Sequence, residues 1–200
     1  APSRGLGDVY KRQLVNTQEE IDFVDDLLIK ENILNQKFII FAVGTNWINK
    51  CWSVENFAKL SDLLSQYKIK VVLIGFGKND EQKAQAIMNL ARANNIVNFV
   101  GKTSLMQTAR IIKLAKAVIG GDTGNLHLAA ALNIPAIMLM GPTDPNRNGP
   151  YRQMENVILA GHECDGCWKR TCAKNIDCLA SIKPNQVIEK LKRIELLKDE

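Results

Sequence analysis

Apolar residues fall into two kinds of pattern that alternate along the chain from residue 38 onward. Short continuous apolar runs, such as Phe38 to Val43 and the Val-Val-Leu-Ile within Lys70 to Gly75, predict buried strands. Between these runs, apolar residues recur every three or four positions, which predicts amphipathic helices. We therefore expect an α/β fold with a Rossmann-like parallel sheet and helices on both faces.

The same two patterns predict the remaining elements and the binding edge of the sheet. Further strands are expected at 98–100, 117–120, 136–140 and 157–159, and helices at 17–31, after Ser53, at 80–93, 104–114, from about 125 and from Pro184. Ligands of open parallel sheets bind at the carboxyl ends of the strands. The predicted binding loops are therefore 44–52, 75–80, 101–104, 120–125 and 141–151.

The chain divides into three predicted parts. Residues 8–13 resemble the translation of a transposase adapter used in sequencing libraries, so we expect 1–13 to be a non-native artefact. Residues 14–36 form a predicted linker helix. Residues 37–200 form one predicted Rossmann-like domain, with a Cys-rich loop at 161–180 and a C-terminal helix at 184–197.

Composition changes this picture little but excludes some classes of function. The chain has 200 residues, 46% hydrophobic and 24% charged, with a formal net charge of +5, which is ordinary for a globular protein. A basic run with interleaved aromatic residues is missing, so we expect no nucleic-acid partner. No apolar stretch has the length of a membrane span and no signal-peptide pattern is present, so we expect no transmembrane segment and a cytoplasmic location, peripheral to the inner membrane at most.

The segment from Gly120 to Leu132 carries the strongest chemical signal. A buried strand enters a turn with three glycines and then an alanine-rich helix, an arrangement that directs backbone N–H groups and the positive end of a helix dipole to one point. This predicts an anion site, with Asp122 and His127 available for hydroxyls and charge. Alone, the pattern also fits a plain tight turn at Gly124 and an interior histidine at His127.

Three other nucleotide or catalytic motifs fail. The turn Gly75-Phe76-Gly77 begins like a dinucleotide fingerprint, but Asp80 stands where the third glycine belongs. The tripeptide at 101–103 ends like a P-loop, but Ile96 replaces the required first glycine. A Gly-x-Ser-x-Gly nucleophile elbow is missing from the sequence.

Four cysteines lie close together in the sequence. Cys164, Cys167, Cys172 and Cys178 have the spacing C-x2-C-x4-C-x5-C, which is compatible with a structural zinc or an iron–sulfur site. Reduced thiols are an open alternative, and disulfides are a third that a reducing compartment disfavours. Cys51 stands apart and is expected to serve packing.

Three segments together resemble the glycosyltransferase family 9 heptosyltransferases of lipopolysaccharide assembly. They are 44–60, beginning Gly-Thr-Asn-Trp-Ile-Asn-Lys-Cys-Trp, then 121–131, Gly-Asp-Thr-Gly-Asn-Leu-His-Leu-Ala-Ala-Ala, and 141–151, Gly-Pro-Thr-Asp-Pro-Asn-Arg-Asn-Gly-Pro-Tyr. The resemblance runs from about residue 36 to the end. It implies the C-terminal, donor-binding domain of a two-domain GT-B enzyme.

The resemblance also implies an activity and a set of site residues. The family transfers heptose from ADP-heptose to the lipopolysaccharide inner core at the membrane surface, with no cofactor required. By position in the motifs, the implied donor-binding residues are Thr45, Lys50, Thr103, Asp122, Thr123, Gly124 and His127. Lys50 would give electrostatic support to the diphosphate or the sugar, and Asp122 would hold heptose hydroxyls.

The resemblance leaves the catalytic base outside this sequence. In the family, that base is an aspartate of the N-terminal domain, so the chain is expected to be incomplete, to bind donor weakly and not to turn over. The alternative hypothesis is a non-catalytic nucleotide-binding module with a metal site at the cysteine cluster. An acidic residue after the second strand, Asp80 or Glu81, is a looser candidate for the ribose hydroxyls.

Overall fold

The computed structural model describes residues 15–198, and within that range it forms a six-stranded parallel sheet of order β3-β2-β1-β4-β5-β6. The strands are β1 (Phe38–Ala42), β2 (Lys70–Ile74), β3 (Ile96–Asn98), β4 (Val118–Gly121), β5 (Ala136–Met140) and β6 (Val157–Leu159). The helices are α1 (Gln18–Lys30), α2 (Val54–Ser65), α3 (Lys78–Leu90), α4 (Leu105–Leu114), α5 (Gly124–Ala131), α6 (Pro145–Asn148) and α7 (Pro184–Arg193). The predicted α/β parallel sheet is confirmed.

Both faces of the sheet are covered, which explains why its strands are apolar throughout. All five residues of β1 and all five of β5 are buried. Alternate β1 residues enter opposite clusters: Ile39 and Phe41 pack on one side, and Phe38 and Ile40 on the other. A strand buried on both faces favours continuous apolar runs over alternation.

Helix α1 packs into the domain core. Thr17 and Glu20 form a reciprocal capping box at its start, and Val24 and Leu28 are fully buried in the cluster beneath α4. Its linker role, like the division of the chain into parts, stays a prediction. The predicted artefact at 1–13 lies outside the described residues.

Strand β3 lies two residues earlier than the sequence pattern indicates. Ile96 pairs with Val71, so the strand covers 96–98 rather than 98–100. The buried Asn95 fixes this register because its side-chain amide donates to the carbonyls of Ser61 and Ile69, at 2.9 and 3.1 Å. The apolar Phe99 that suggested the later boundary is buried just beyond the strand.

Two predicted helices also end early, each for a local reason. Helix α3 stops at Leu90 because the Asp62 carboxylate accepts the N–H groups of the residues at 92 and 93, both at 2.8 Å. Helix α7 stops at Arg193, four residues before the predicted end. Glu195 there adopts a left-handed φ of 60°, and the Leu196 N–H returns to the Leu191 carbonyl, as in a Schellman motif.

Candidate functional site

The site lies where the strand order changes direction between β1 and β4. Loops that follow adjacent strands diverge at such a point and leave a crevice at the carboxyl edge of the sheet. A cavity of about 720 Å³ occupies this crevice and is lined by loops after β1, β2, β3 and β4. Its walls include Gly44, Thr45, Asn46, Gly75, Phe76, Asn79, Asp80, Lys83, Thr103, Ser104, Leu105, Thr108, Thr123 and Asn125.

Helix α5 begins at the floor of this cavity without a side-chain cap. Thr123 takes the N-cap position with extended backbone, but its hydroxyl makes no capping hydrogen bond. Gly124 opens the helix, and a Cβ atom placed on it would meet nothing within 4 Å. Uncapped N–H groups, the helix dipole and open space together form a place where an anion can approach the backbone.

Asp122, one residue before the N-cap, is the centre of a hydrogen-bond network. Its Oδ2 atom accepts from the Lys50 Nζ at 2.7 Å, the Thr143 hydroxyl at 3.0 Å and the Asn148 amide at 3.1 Å. Its Oδ1 atom lies 3.1 Å from the His127 Nε2. The aspartate side chain is only 5% exposed and that of Lys50 12%, so this ion pair is largely shielded from solvent.

These contacts keep Asp122 ionised. Burial by itself would raise its pKa, but the hydrogen bonds from His127 and Lys50, the lysine charge and the Asn148 amide together hold the pKa far below its usual range. A carboxylate with four protein partners has little capacity left for additional donors. A sugar hydroxyl that reached Asp122 would therefore replace or share an existing partner.

The predicted site residues separate into two adjoining groups. Thr45, Thr103 and Thr123 line the cavity, whereas Lys50 and His127 meet at Asp122 beside it. The Thr45 hydroxyl donates to the Trp47 carbonyl at 2.5 Å and so shapes its own loop. The Thr103 hydroxyl bonds that of Thr108 at 2.9 Å. The structure thus brings the predicted residues to one edge of the sheet.

Asp80 lies in the cavity wall, where its side chain holds two loops. Its carboxylate fills the space above Gly44 and Gly75, since a Cβ on Gly44 would stand 1.8 Å from the Oδ2 atom. The same oxygen accepts the Phe76 N–H at 3.0 Å, and Lys83 forms an ion pair with the other at 3.5 Å. The loose assignment of Asp80 to ribose hydroxyls therefore competes with a positioning role.

The loop after β5 contributes two residues that sequence reasoning missed. Thr143 is fully buried and Asn148 closes the short helix α6, and both donate to Asp122. The sequence suggested only that 141–151 shapes the cleft wall. The sequence shows only a threonine between two prolines in a turn, and the burial that makes its hydroxyl require a polar partner is visible in the structure alone.

The cysteine cluster does not assemble a metal site in this structure. Within residues 15–198, no three His, Cys, Asp or Glu side chains are placed to hold an ion together. All four cysteines are free thiols, with Cys178 buried and Cys167 exposed. Over the same range, none of the helices has the length and apolar character required to cross a bilayer.

The sequence model of one enzyme family matches residues 7–176 and therefore includes every element of the site described above. That model is glycosyltransferase family 9 (heptosyltransferase). The chain belongs to glycosyltransferase family 9. Among curated family 9 relatives, lipopolysaccharide heptosyltransferase 1 of Pseudomonas aeruginosa is 30% identical over 135 residues, which is 68% of this chain and 37% of that protein.

Solved structures share the fold of this chain. The E. coli ADP-heptose lps heptosyltransferase II structure superposes with a TM-score of 0.71 at 24% identity, covering 92% of this family 9 chain and 53% of that one. The E. coli heptosyltransferase WaaC structure with ADP gives a TM-score of 0.62 at 28% identity, covering 78% and 44%. The chain thus spans less than half the length of the Pseudomonas relative and about half of these solved chains.

Proposed function

We propose that this chain binds the nucleotide-sugar donor of a heptosyltransferase, with ADP-heptose as donor and a lipopolysaccharide inner-core sugar as acceptor. Helix α5 begins without a side-chain cap beside the Lys50–Asp122 pair, and the chain belongs to family 9; this combination supports the proposal. The related WaaC structure with ADP supports the choice of nucleotide. In this arrangement the 720 Å³ cavity receives the nucleoside, and the α5 N-terminus receives the diphosphate.

The proposed chemistry places developing negative charge where the site has positive charge. The bond between the anomeric carbon of the heptose and the β-phosphate oxygen breaks, and its electron pair leaves with ADP. The acceptor oxygen forms the new bond to that carbon and gives its proton to a base. The amides of Thr123 and Gly124 and the helix dipole stabilise the charge on ADP because they are fixed before the reaction begins, and the Lys50 charge is held beside them by Asp122.

We place the catalytic base outside this chain. The carboxylate nearest the phosphate turn, Asp122, is ionised but already accepts four protein hydrogen bonds. Such a carboxylate is a poor proton acceptor because its pKa is far below neutrality. The proposal therefore assigns Asp122 to positioning Lys50 and the sugar, and assigns proton removal to the part of the enzyme that faces this domain.

Calorimetric titration with ADP tests the donor site. We expect saturable ADP binding by the wild-type chain and at least fivefold weaker binding by Lys50→Gln. Glutamine keeps a side-chain N–H donor but lacks the lysine charge. The matched control is Lys59→Gln, since Lys59 is an exposed lysine on α2, outside the cavity. A folded wild-type chain without saturable binding at millimolar ADP would overturn the proposal.

A second titration tests the heptose assignment. ADP-heptose is expected to bind more tightly than ADP, and Asp122→Asn is expected to lose that preference while retaining a folded domain by circular dichroism. Equal affinities of wild type for the two compounds would remove the heptose contact but leave the nucleotide site in place. Stronger binding of UDP or GDP than of ADP would overturn the choice of nucleotide.

A further inference from the structure

A second cleft opens between the loop after β1, helices α2 and α3, and the Cys-rich loop. Its volume is about 480 Å³, within the range of roughly 300–1,000 Å³ that small-molecule sites occupy. Its lining includes Asn49, Cys51, Lys83, Arg170, Cys172 and Asp177. Of these six, only Lys83 also lines the nucleotide cavity, and neither Lys50 nor Asp122 borders this cleft. We call it the Cys51 cleft.

The Cys51 thiol is half-buried in this cleft and has a lysine ammonium beside it. The Lys83 Nζ donates to the Cys51 Sγ at 3.3 Å, and the Thr45 hydroxyl oxygen lies 3.4 Å from the same sulfur. Lys83 is held there because it also forms an ion pair with Asp80, at 3.5 Å. A sulfur that gains negative charge in a reaction therefore has a cation within hydrogen-bond distance, and the thiolate is the nucleophilic form of cysteine. A packing role for Cys51 would not require this cation.

Asn49 gives the cleft an unsatisfied hydrogen-bond acceptor. The residue is 8% exposed, and its side-chain amide donates to the Lys169 carbonyl at 2.6 Å. Its Oδ1 atom has no partner within residues 15–198. A buried carbonyl oxygen without a donor is costly, and nearly all such groups in folded proteins have a partner. Because Asn49 lines the cleft, a bound ligand with an N–H group would satisfy this oxygen.

Charges of both signs line the Cys51 cleft. Arg170 and Asp177 are exposed residues of the Cys-rich loop, and neither forms an ion pair with any residue in 15–198. Arg170 is oriented by the Trp47 ring, whose centroid lies 5.3 Å from the guanidinium. A guanidinium binds a carboxylate through paired N–H donors, and a carboxylate binds an ammonium. Together with the buried Asn49 oxygen, these two charges match the carboxylate, ammonium and amide N–H groups of an amino acid or a short peptide.

We propose that Cys51 is a modification site, at which the thiol exchanges with the disulfide of a small amino-acid or peptide thiol. The Cys51 thiolate attacks one sulfur of that disulfide and forms a new S–S bond. The original S–S bond breaks, its electron pair leaves with the second sulfur, and the leaving thiolate takes up the proton that Cys51 released. No other oxidant is needed, because the incoming disulfide is itself the oxidised reactant. In the adduct, the head group of the small thiol occupies the cleft.

Peptide mass spectrometry of the wild-type chain measures the exchange. The chain is treated separately with glutathione disulfide, cystine and the neutral hydroxyethyl disulfide, and the rate of adduct formation is followed at each cysteine. The rate with a charged disulfide divided by the rate with the neutral one gives a preference in which differences in thiol reactivity cancel. Cys167 is the internal reference, because its exposed thiol does not line the cleft. We expect the preference for glutathione disulfide or cystine to be at least fivefold higher at Cys51 than at Cys167, and the more strongly preferred of the two shows whether the cleft suits a peptide or a single amino acid.

Three variants, each checked for folding by circular dichroism, separate the contributions to this effect. Arg170→Gln is expected to lower the preference at Cys51 at least threefold, because it removes the charge that receives the carboxylate. Lys174→Gln is the matched control, since Lys174 is an exposed lysine of the same loop outside the cleft lining, and it should leave the preference unchanged. Lys83→Gln should slow the reaction of Cys51 with all three disulfides by a similar factor, because Lys83 contacts the sulfur itself.

Equal preferences at Cys51 and Cys167 would overturn the inference, because Cys51 would then be an ordinary accessible thiol. Equal losses in Arg170→Gln and Lys174→Gln would indicate a diffuse charge effect and would overturn it as well. Cys172 lines the same cleft, so the reactions are repeated with Cys172→Ser, in which the preference at Cys51 must persist. A preference found at Cys172 alone would mean that Cys51 is not the modified residue. None of these reactions contains a nucleotide, so their outcome is independent of the proposed donor site.

Discussion

Gly121 lies directly against the backbone of Lys50: a Cβ atom on Gly121 would stand 1.9 Å from the Lys50 carbonyl oxygen. The same atom would lie 3.3 Å from the Thr45 Cγ2. This close approach lets the loop after β1 cross the end of β4, and it accompanies the 2.7 Å contact between Lys50 and Asp122. The glycine is needed because there is no room for a side chain.

The first prediction concerns Gly121→Ala. The added methyl meets a backbone carbonyl, which cannot rotate away, so the loop or the strand end must shift. We expect a loss of about 1–3 kcal/mol of folding free energy, as for other overpacked sites, and a fall in Tm of roughly 2–4 °C per kcal/mol. Thermal unfolding followed by circular dichroism measures this.

Gly124→Ala is the matched control for stability. Its added methyl meets nothing within 4 Å, and alanine is a better helix former than glycine. We therefore expect an unchanged or slightly raised Tm, together with weaker ADP binding, because the methyl fills space where the diphosphate approaches. If Gly121→Ala has the Tm of wild type, the loop after β1 accommodates the added methyl without loss of stability, and the prediction is wrong.

The second prediction concerns the pH dependence of stability at Asp122. Its folded-state pKa lies below the ordinary aspartate value of about 3.9, so its contribution is fully present above that value and is lost as pH falls toward the folded-state pKa. Asp122→Asn is therefore expected to be less stable than wild type at pH 7. The difference between the two should begin to shrink below about pH 4 and should continue to shrink toward pH 2.

Urea unfolding at pH 7, 5, 4 and 3 measures that difference. Asp26→Asn is the control, because Asp26 is an exposed aspartate on α1, remote from the site. A gap between wild type and Asp122→Asn that stays constant from pH 7 to pH 3 would mean that the four contacts do not favour the ionised carboxylate.

The sequence pattern predicted the fold well because strands buried on both faces leave an unambiguous apolar signal. The pattern placed β3 two residues too late because Asn95 fixes where that strand begins. The Asn95 side chain donates to carbonyls that are 34 and 26 residues away in the sequence. The site was predicted in part. The motifs suggested that Asp122 and Lys50 share one edge of the sheet, and the structure places the two side chains 2.7 Å apart. Pairwise contacts such as Thr143 with Asp122 depend instead on packing between loops, which periodicity does not describe.

The third prediction concerns the Thr143 hydroxyl. Thr143→Val keeps the shape of this fully buried side chain but removes its donor to Asp122. We expect a loss of about 1.5–3 kcal/mol, typical of a hydrogen bond to a charged group, and a weaker preference for ADP-heptose over ADP. Urea unfolding and calorimetry measure the two effects.

Thr143→Ser is the conservative partner, since it removes a methyl and retains the hydroxyl. It is expected to recover the donor preference even if the lost methyl lowers stability. Should the valine variant lower stability yet keep the full preference for ADP-heptose, the hydroxyl would be structural and its effect would not reach the sugar.

The fourth prediction concerns the two cysteines at the ends of the segment 172–178. Backbone hydrogen bonds from Ile176 and Lys174 lower the pKa of Cys172, whereas burial, followed by the charges of the neighbouring cysteines, raises the pKa of Cys178. Because the thiolate is the reactive form, Cys172 should be alkylated faster than Cys178 at pH 7. Pulsed labelling with iodoacetamide followed by peptide mass spectrometry ranks the sites, and the same peptides after reduction show whether any thiol was oxidised.

Two outcomes would differ from this prediction. If all four cysteines are protected and a chelator removes the protection, the cysteines bind a metal. If Cys172 is labelled more slowly than Cys178 and a chelator has no effect, the predicted order is contradicted.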